Sequence, residues 1–269
     1  MPAEPEFRAD LFRGTARFYD AFRVPYPQEL LDDLCARAQV TGTGRLLDLA
    51  CGTGQITFGL ARHFAGVWAV DQEPEAITLA RAKALGLGIR NVRWIAGRAE
   101  DVAADGCFEL VAIGNAFHRL QRQVVAGAAF RWLPPGGHLA LLWSDSPWIG
   151  PAGWQRVLAE TARYWTRATG ATGRVPAGYD RATAETPHTA VLAAAGFTVA
   201  GALEFPVRYE WTVEKLTGFM YSTSVLSREA LGRHVRDFER DLRERLLAVQ
   251  PDGVFREDIS FAYDLLRRP

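Results

Sequence analysis

Apolar and polar positions along residues 44 to 143 alternate between two rhythms. Short apolar runs at Leu46, Leu47 and Leu49, at Val67 to Val70, at NVRWIAG ending near Gly97, at FELVAIG ending near Gly114 and at HLALLW read as five buried strands. Between them stand segments with helical spacing: Gln55 to Phe64, a stretch carrying Ile77, Leu79 and Ala80, and Val124 to Trp132, which LPPGG stops. Strands alternating with helices predict an α/β fold with a doubly wound parallel sheet and a ligand crevice at the strands' carboxyl ends.

The rhythm breaks after Ser144. SDSPWIGPAGW reads as a loop, WQRVLAETARYWTRATG as a helix and GATGRVPAGYDRATAE as a polar loop, so residues 144–187 form an insertion placed over the site. A helix TAVLAAAGF, a strand FTVAGALEF, helices through Val213 to Val249 and a strand from Val254 to Ala262 complete the chain.

The segment with most chemical content is RLLDLACGTGQ, Arg45 to Gln55. A carboxylate, Asp48, stands near the end of a strand, and small residues follow where the backbone must bend against a ligand. The helix after the turn aims its first amides into the crevice. Such turns also cradle pyrophosphates, but a dinucleotide fingerprint needs G-x-G-x-x-G, and here A-x-G-x-G follows an acid with no third glycine. Asp71 repeats the arrangement at the end of the second strand.

This spacing resembles motif I of the class I S-adenosylmethionine (SAM)-dependent methyltransferases, D/E-x-G-x-G-x-G, with Ala50 in the first glycine position and Gln55 in the last, non-glycine one. The likeness extends to Asp71, to GRAED after the third strand, to GNAFH after the fourth and to LPPGG before the fifth. FYDAFRVPYPQELL is similar to the Y-x-x-x-R-x-x-Y-P element of the methyltransferase type 11 group, where it forms a lid helix. Two positions depart from the pattern: Arg98 replaces a common acid, and Arg119 replaces the usual aromatic after His118.

The resemblance implies a seven-stranded Rossmann-like sheet in the order 3-2-1-4-5-7-6 with the last strand antiparallel. It divides the chain into a lid segment (1–43), a SAM-binding core (44–143), the substrate cap (144–187) and completion of the sheet (188–269). The implied cofactor-binding residues are Tyr19, Arg23, Asp48, Ala50, Gly52, Gln55, Asp71, Gln72, Ala99, Glu100 and Asn115. Asp71 would accept the ribose hydroxyls, or cap the next helix, or both. Asp48 would order the glycine turn or reach the cofactor's ammonium through water. Arg23 would pair with its carboxylate, unless it is a solvated surface arginine.

His118 is the candidate acid–base group, because it follows the fourth strand where the methyl group should arrive and imidazole titrates near neutrality. The alternative is a histidine that packs or orders the loop. Candidate acceptor-binding residues are Tyr26, Trp148, His188, Tyr221 and Ser222, against a background in which most aromatics of the insertion and tail pack the core. His138 opens the fifth strand, far from the crevice, and reads as structural.

Composition narrows the function. The 31 basic and 31 acidic residues cancel, so no overall field recruits nucleic acid or an anionic membrane. The fourth strand ends in GNAF rather than the [DN]-P-P-[YF] of amino-methylases acting on bases. Cys35, Cys51 and Cys107 form no C-x-x-C pair, no metal is expected, and the start MPAEPEFRAD lacks an apolar stretch. The expectation is a cytoplasmic monomer or homodimer that methylates N or O of a small molecule. An amino-sugar or other intermediate of antibiotic biosynthesis is the candidate acceptor, through resemblance to an actinobacterial branch that includes aminoglycoside N-methyltransferases. A non-catalytic SAM-binding partner protein is the alternative, and a nicotinamide dehydrogenase lacks its fingerprint.

Overall fold

The computed structural model describes residues 7, 8, 10–104, 107–177, 179 and 185–269. Strands β1 (Arg45–Leu49), β2 (Gly66–Asp71), β3 (Val92–Ala96), β4 (Leu110–Gly114) and β5 (His138–Ser144) form the parallel part of the sheet. Strands β6 (Thr198–Thr212) and β7 (Val254–Arg267) complete it in the order β3-β2-β1-β4-β5-β7-β6. β7 runs antiparallel to both neighbours. The expected topology is therefore the observed one. β1 lies between β2 and β4, with Leu46 opposite Val67 and Leu110, and four of its five residues are buried. That explains its unbroken apolar run: a parallel strand covered on both faces has no wet side to alternate toward.

Helices α1 (Ala16–Phe22) and α2 (Gln28–Arg37) precede the sheet, and α3 (Gln55–Leu60), α4 (Pro74–Gly86) and α5 (Arg122–Trp132) connect its strands. The helix expected to reach Phe64 ends at Leu60 and continues as a tighter 3₁₀ turn over Ala61–His63. Then follow α6 (Gly153–Ala168), α7 (His188–Ala194), α8 (Val213–Tyr221), α9 (Arg228–Leu231) and α10 (Val235–Val249). One core joins Leu30, Leu31 and Leu34 of α2 to Leu46 and Leu110 and continues into α6, α8 and α10. The other packs Val125 and Ala129 of α5 and Val191 and Leu192 of α7 on Leu47, Val111 and Leu139.

The terminal hairpin is longer than its sequence pattern predicted. β6 was expected to stop at Phe205, but Val207, Tyr209 and Trp211 continue the inward alternation to Thr212. β7 continues past Ala262 to Arg267 because that stretch pairs with β5 from His138 to Ser144. Residues 206–212 and 254–260 lie beyond the reach of β5 and form a two-stranded arm. Trp211 on the arm meets Phe219 of α8 at 5.5 Å, and Phe255 meets Trp154 of α6 at 5.5 Å. The arm thus carries α6 and α8 above the carboxyl end of the sheet.

Candidate functional site

β1 and β4 end in the same unusual way. Ala50 has φ 54° and Asn115 φ 50°, left-handed values that cost a residue with a side chain of order 1 kcal/mol or more. Both line one cavity of about 500 Å³ at the carboxyl end of the sheet. Gly52 (φ 55°) and Gly54 (φ 90°) complete the turn after β1, and Gly54 initiates α3. A methyl group on Gly54 would lie 2.9 Å from both Phe58 and Trp94, so the turn closes against the core there.

Two buried carboxylates flank this turn. Asp71 accepts the Gly52 amide on Oδ2 at 2.8 Å and the Glu73 amide on Oδ1 at 2.8 Å, tying the glycine turn to the start of α4. Both readings of Asp71 meet here: it lines the cavity and braces the helix entry, although the N-cap position itself is Glu73. Burial raises its pKa, and the Glu73 and Gly52 amides oppose the rise. Asp48 accepts the Thr57 hydroxyl on Oδ2 at 2.5 Å, while its Oδ1 and the Thr53 hydroxyl are buried without a partner among the described residues. Burial pushes the Asp48 carboxyl up to about 7, with Asp71 adding repulsion and Thr57 opposing. Orphaned acceptors beside a strained turn call for a ligand or a water in that place.

The remaining walls of the cavity come from three places. Gln72 and Glu73 follow β2, and Ala99 and Glu100 follow β3. Glu100 accepts the Gln121 amide at 2.9 Å and lies 3.4 Å from Arg98, so it links the third and fourth strand ends. The lid is the segment from Phe7 to Tyr19. Glu73 accepts the Phe12 amide at 3.3 Å and Glu75 accepts the Gly14 amide at 3.1 Å, while Lys83 of α4 pairs with Asp20. These contacts fasten the lid to α4.

Tyr19 and Asn115 also line a second, much smaller cavity with Arg23, Gln55, Ser144 and Asp145, roofed by Trp211, Phe219 and Phe261. Arg23 donates from Nε to Ser222 at 2.8 Å and stacks on Phe219 with 4.1 Å from Cζ to the ring centroid. It has no carboxylate partner among the described residues, and burial lowers its pKa. Asn115 donates to the Tyr26 hydroxyl at 3.0 Å and to Ser144 Oγ at 3.2 Å.

All the expected cofactor residues but Asp48 therefore meet at the main cavity or, for Arg23 and Gln55, at its small neighbour. Asp48 lies beneath the turn, and Arg23 lines the smaller cavity. The acceptor and acid–base expectations fare differently. His118 does not line either cavity: its Nε2 accepts from Arg119 Nε at 3.0 Å, and its ring faces Tyr179 at 6.3 Å. Burial and the neighbouring Arg119 drop its pKa to about 3, so the imidazole is neutral here. Trp148 packs edge-on against Phe219, and the Tyr221 hydroxyl donates to Glu239 at 2.6 Å. His188 packs on Phe117 at 5.2 Å and approaches Arg122 at 3.2 Å, on the α5 and α7 side. Tyr26 and Ser222 support Asn115 and Arg23 from behind, rather than lining either cavity. The aromatic side chains satisfy their apolar surface elsewhere: Trp148 on Phe219 of α8, Tyr221 on Phe238 of α10, His188 on Phe117 and Tyr26 on Phe261 of β7.

Much of the described part of the insertion packs beside the cavities. The face of α6 carrying Trp154, Leu158 and Trp165 is buried, and Trp165 Nε1 donates to Asp241 of α10 at 2.8 Å. The described residues of 144–187 touch the cavities at Ser144 and Asp145 and meet the lid through Arg174, which donates to the Leu11 carbonyl at 3.1 Å, and through Tyr179, whose ring packs edge-on against Phe7 at 5.1 Å. Arg119, Leu120, Phe7 and Phe12 were not anticipated as cavity residues. The signal for the lid was present in the apolar spacing of Phe7, Leu11 and Phe12 ahead of Tyr19.

Residues 46–137 match the family model described as a methyltransferase domain. An uncharacterized methyltransferase of Mycobacterium tuberculosis is 32% identical over 150 residues, 55% of this chain and 57% of the relative. A ubiquinone/menaquinone biosynthesis C-methyltransferase of Zymomonas mobilis is 28% identical over 148 residues, 52% of this chain and 61% of that protein. The matched region thus spans little more than half the length of these relatives. The solved structure of a putative type II methyltransferase from Anaeromyxobacter dehalogenans superimposes with a TM-score of 0.59 at 22% identity, covering 91% of this chain and 97% of the other, and so shares the fold. Residues 46–137 thus match a methyltransferase domain and are set in a seven-stranded fold shared with that solved structure.

Proposed function

We propose that this chain transfers a methyl group from SAM to nitrogen or oxygen of a small molecule. The observation that carries the reading is a left-handed turn at the head of a cavity large enough for a nucleoside-sized ligand, held by the buried Asp71 and underlain by the buried Asp48. Asp71 has lone pairs left on both oxygens for ribose hydroxyls after its two amide contacts. Asp48 supplies negative potential beneath the turn, and the Arg23 guanidinium, with Tyr19 beside it, suits the methionine carboxylate. Gln72 and the Ala99–Glu100 pair edge the nucleoside end, and Asn115 stands where the two cavities join, on the methyl side. The lid, core, cap and completing segments keep the boundaries drawn from the sequence.

In this reading the acceptor's lone pair attacks the sulfonium methyl carbon, the C–S electrons return to sulfur as a neutral thioether, and the acceptor sheds a proton. The protein contributes alignment and exclusion of water, which in well-oriented systems lowers a barrier by roughly 7–11 kcal/mol. An amino-sugar of secondary metabolism is one candidate acceptor, and the cavity wall carries Arg119 as well as Glu73 and Glu100.

The test is calorimetry with SAM together with an assay for S-adenosylhomocysteine over a broad acceptor panel. Micromolar binding and turnover support the proposal. Binding without product across the panel would favour a SAM-binding partner protein, and NADH binding with indifference to SAM would overturn the reading of the turn.

A further inference from the structure

Arg119 stands out among the charged groups lining the main cavity. Asp71, Glu73 and Glu100 all accept backbone amides, Arg8 pairs with Asp10, and Arg98 lies beside Glu100. Arg119 has no carboxylate partner among the described residues. Its Nε is committed to His118, and its guanidinium lies against the rings of Phe12 at 4.8 Å and Phe7 at 5.6 Å. That leaves the two terminal nitrogens as its donors without a described partner, on a side chain that lines the cavity. Burial, with Tyr179 opposing and Arg23 adding repulsion, lowers its pKa to about 10.

SAM brings one carboxylate and two positive centres, so it can neutralise only one of the two unpaired guanidiniums, Arg23 and Arg119. Arg23 is held by Ser222 in the smaller cavity beside Gln55 and Asn115. Arg119 lies in the main cavity under the lid, between apolar walls from Phe7, Leu11, Phe12 and Leu120. We propose that the methyl acceptor carries an oxyanion, carboxylate or phosphate, on an apolar body, and that Arg119 binds this anion through its two terminal nitrogens. A planar guanidinium with aromatic rings against it presents its edge, which is the geometry that grips an oxyanion bidentately. His118 then acts as the positioning residue for that fork. The inference rests on the proposed function for the identity of the cofactor site.

The experiment uses the protein saturated with S-adenosylhomocysteine and three probes of equal shape: benzoate, phenyl phosphate and benzamide, titrated by calorimetry or ligand-observed NMR. Benzoate or phenyl phosphate should bind at least fivefold more tightly than benzamide, and the stronger of the two identifies the oxyanion. Arg119→Gln should abolish the preference while changing S-adenosylhomocysteine affinity less than threefold, Arg119→Lys should retain part of it, and Arg23→Gln should weaken S-adenosylhomocysteine instead. Equal binding of the three probes to the wild-type complex, or a tenfold loss of S-adenosylhomocysteine affinity in Arg119→Gln, overturns the proposal. Because the wild-type probe series stands alone, a variant that fails to fold does not decide it. Absence of any S-adenosylhomocysteine binding would instead overturn the cofactor reading on which it rests.

Discussion

Arg119 donates its Nε–H to Nε2 of His118 across 3.0 Å, and this contact decides what the histidine can do. An imidazole that accepts on Nε2 carries its proton on Nδ1 and is neutral, in keeping with a pKa near 3. His118→Ala should therefore leave the shape of the pH–rate profile between pH 5 and 8 unchanged and alter SAM affinity less than about threefold, while raising the acceptor KM as Arg119 loses its anchor. Steady-state kinetics across pH would reveal a missing ionisation if the histidine were a base. The same shift predicts a stability effect: the folded pKa lies below the unfolded 6.5, so stability is intact above about 6.5 and is lost as pH falls toward 3. The alanine variant should have a shallower acid decline than the wild type in urea melts.

Asp71 joins the glycine turn to α4 through both of its oxygens. Asp71→Ala should weaken SAM binding at least tenfold, about 1.4 kcal/mol, with circular dichroism unchanged. Calorimetry showing wild-type affinity would remove Asp71 from the cofactor site.

Asp48 titrates near 7 in the folded chain against 3.8 for an ordinary carboxyl. The sign is that of a raised acid: its contribution to the stability of the ligand-free protein is full below about 3.8 and is lost as pH rises through 7. A cationic ligand favours the ionised form, so SAM affinity should move the opposite way, tightening roughly three- to tenfold between pH 6 and 8. Asp48→Asn should flatten both dependences, and calorimetry at three pH values would measure it.

Gly54 combines φ 90° with aromatic carbons 2.9 Å from where a methyl group would sit. Gly54→Ala should cost about 1–3 kcal/mol in chemical denaturation, from backbone strain and overpacking against Phe58 and Trp94. A loss under 0.5 kcal/mol would mean that the turn relaxes more freely than this geometry allows.

The five parallel strands, the acid and glycines of the first turn and the second acid were legible because each is written locally. A strand buried on both faces needs an unbroken apolar run such as Leu46 to Leu49, and a left-handed bend needs residues as small as Ala50, Gly52 and Gly54. The hairpin's true length was less legible, since Val207, Tyr209 and Trp211 carry a strand period but their pairing partners, Ile259, Glu257 and Phe255, lie 44 to 52 residues away. Candidate acceptor residues were read least well. Trp148 and Tyr221 were aromatic and near the right strand ends, but only packing against Phe219 and Glu239 determines where such rings go.

By itself the sequence determined the layered sheet and the chemistry of its first two strand ends, because period and turn residues act within a few positions of one another. Only the tertiary structure decided that the lid closes with Phe7 and Phe12, that Arg23 is held by Ser222 from 199 positions away, and that Arg119 rather than His118 meets the cavity. Those outcomes follow from side-chain direction and from burial shared between distant elements, and no local spacing encodes either.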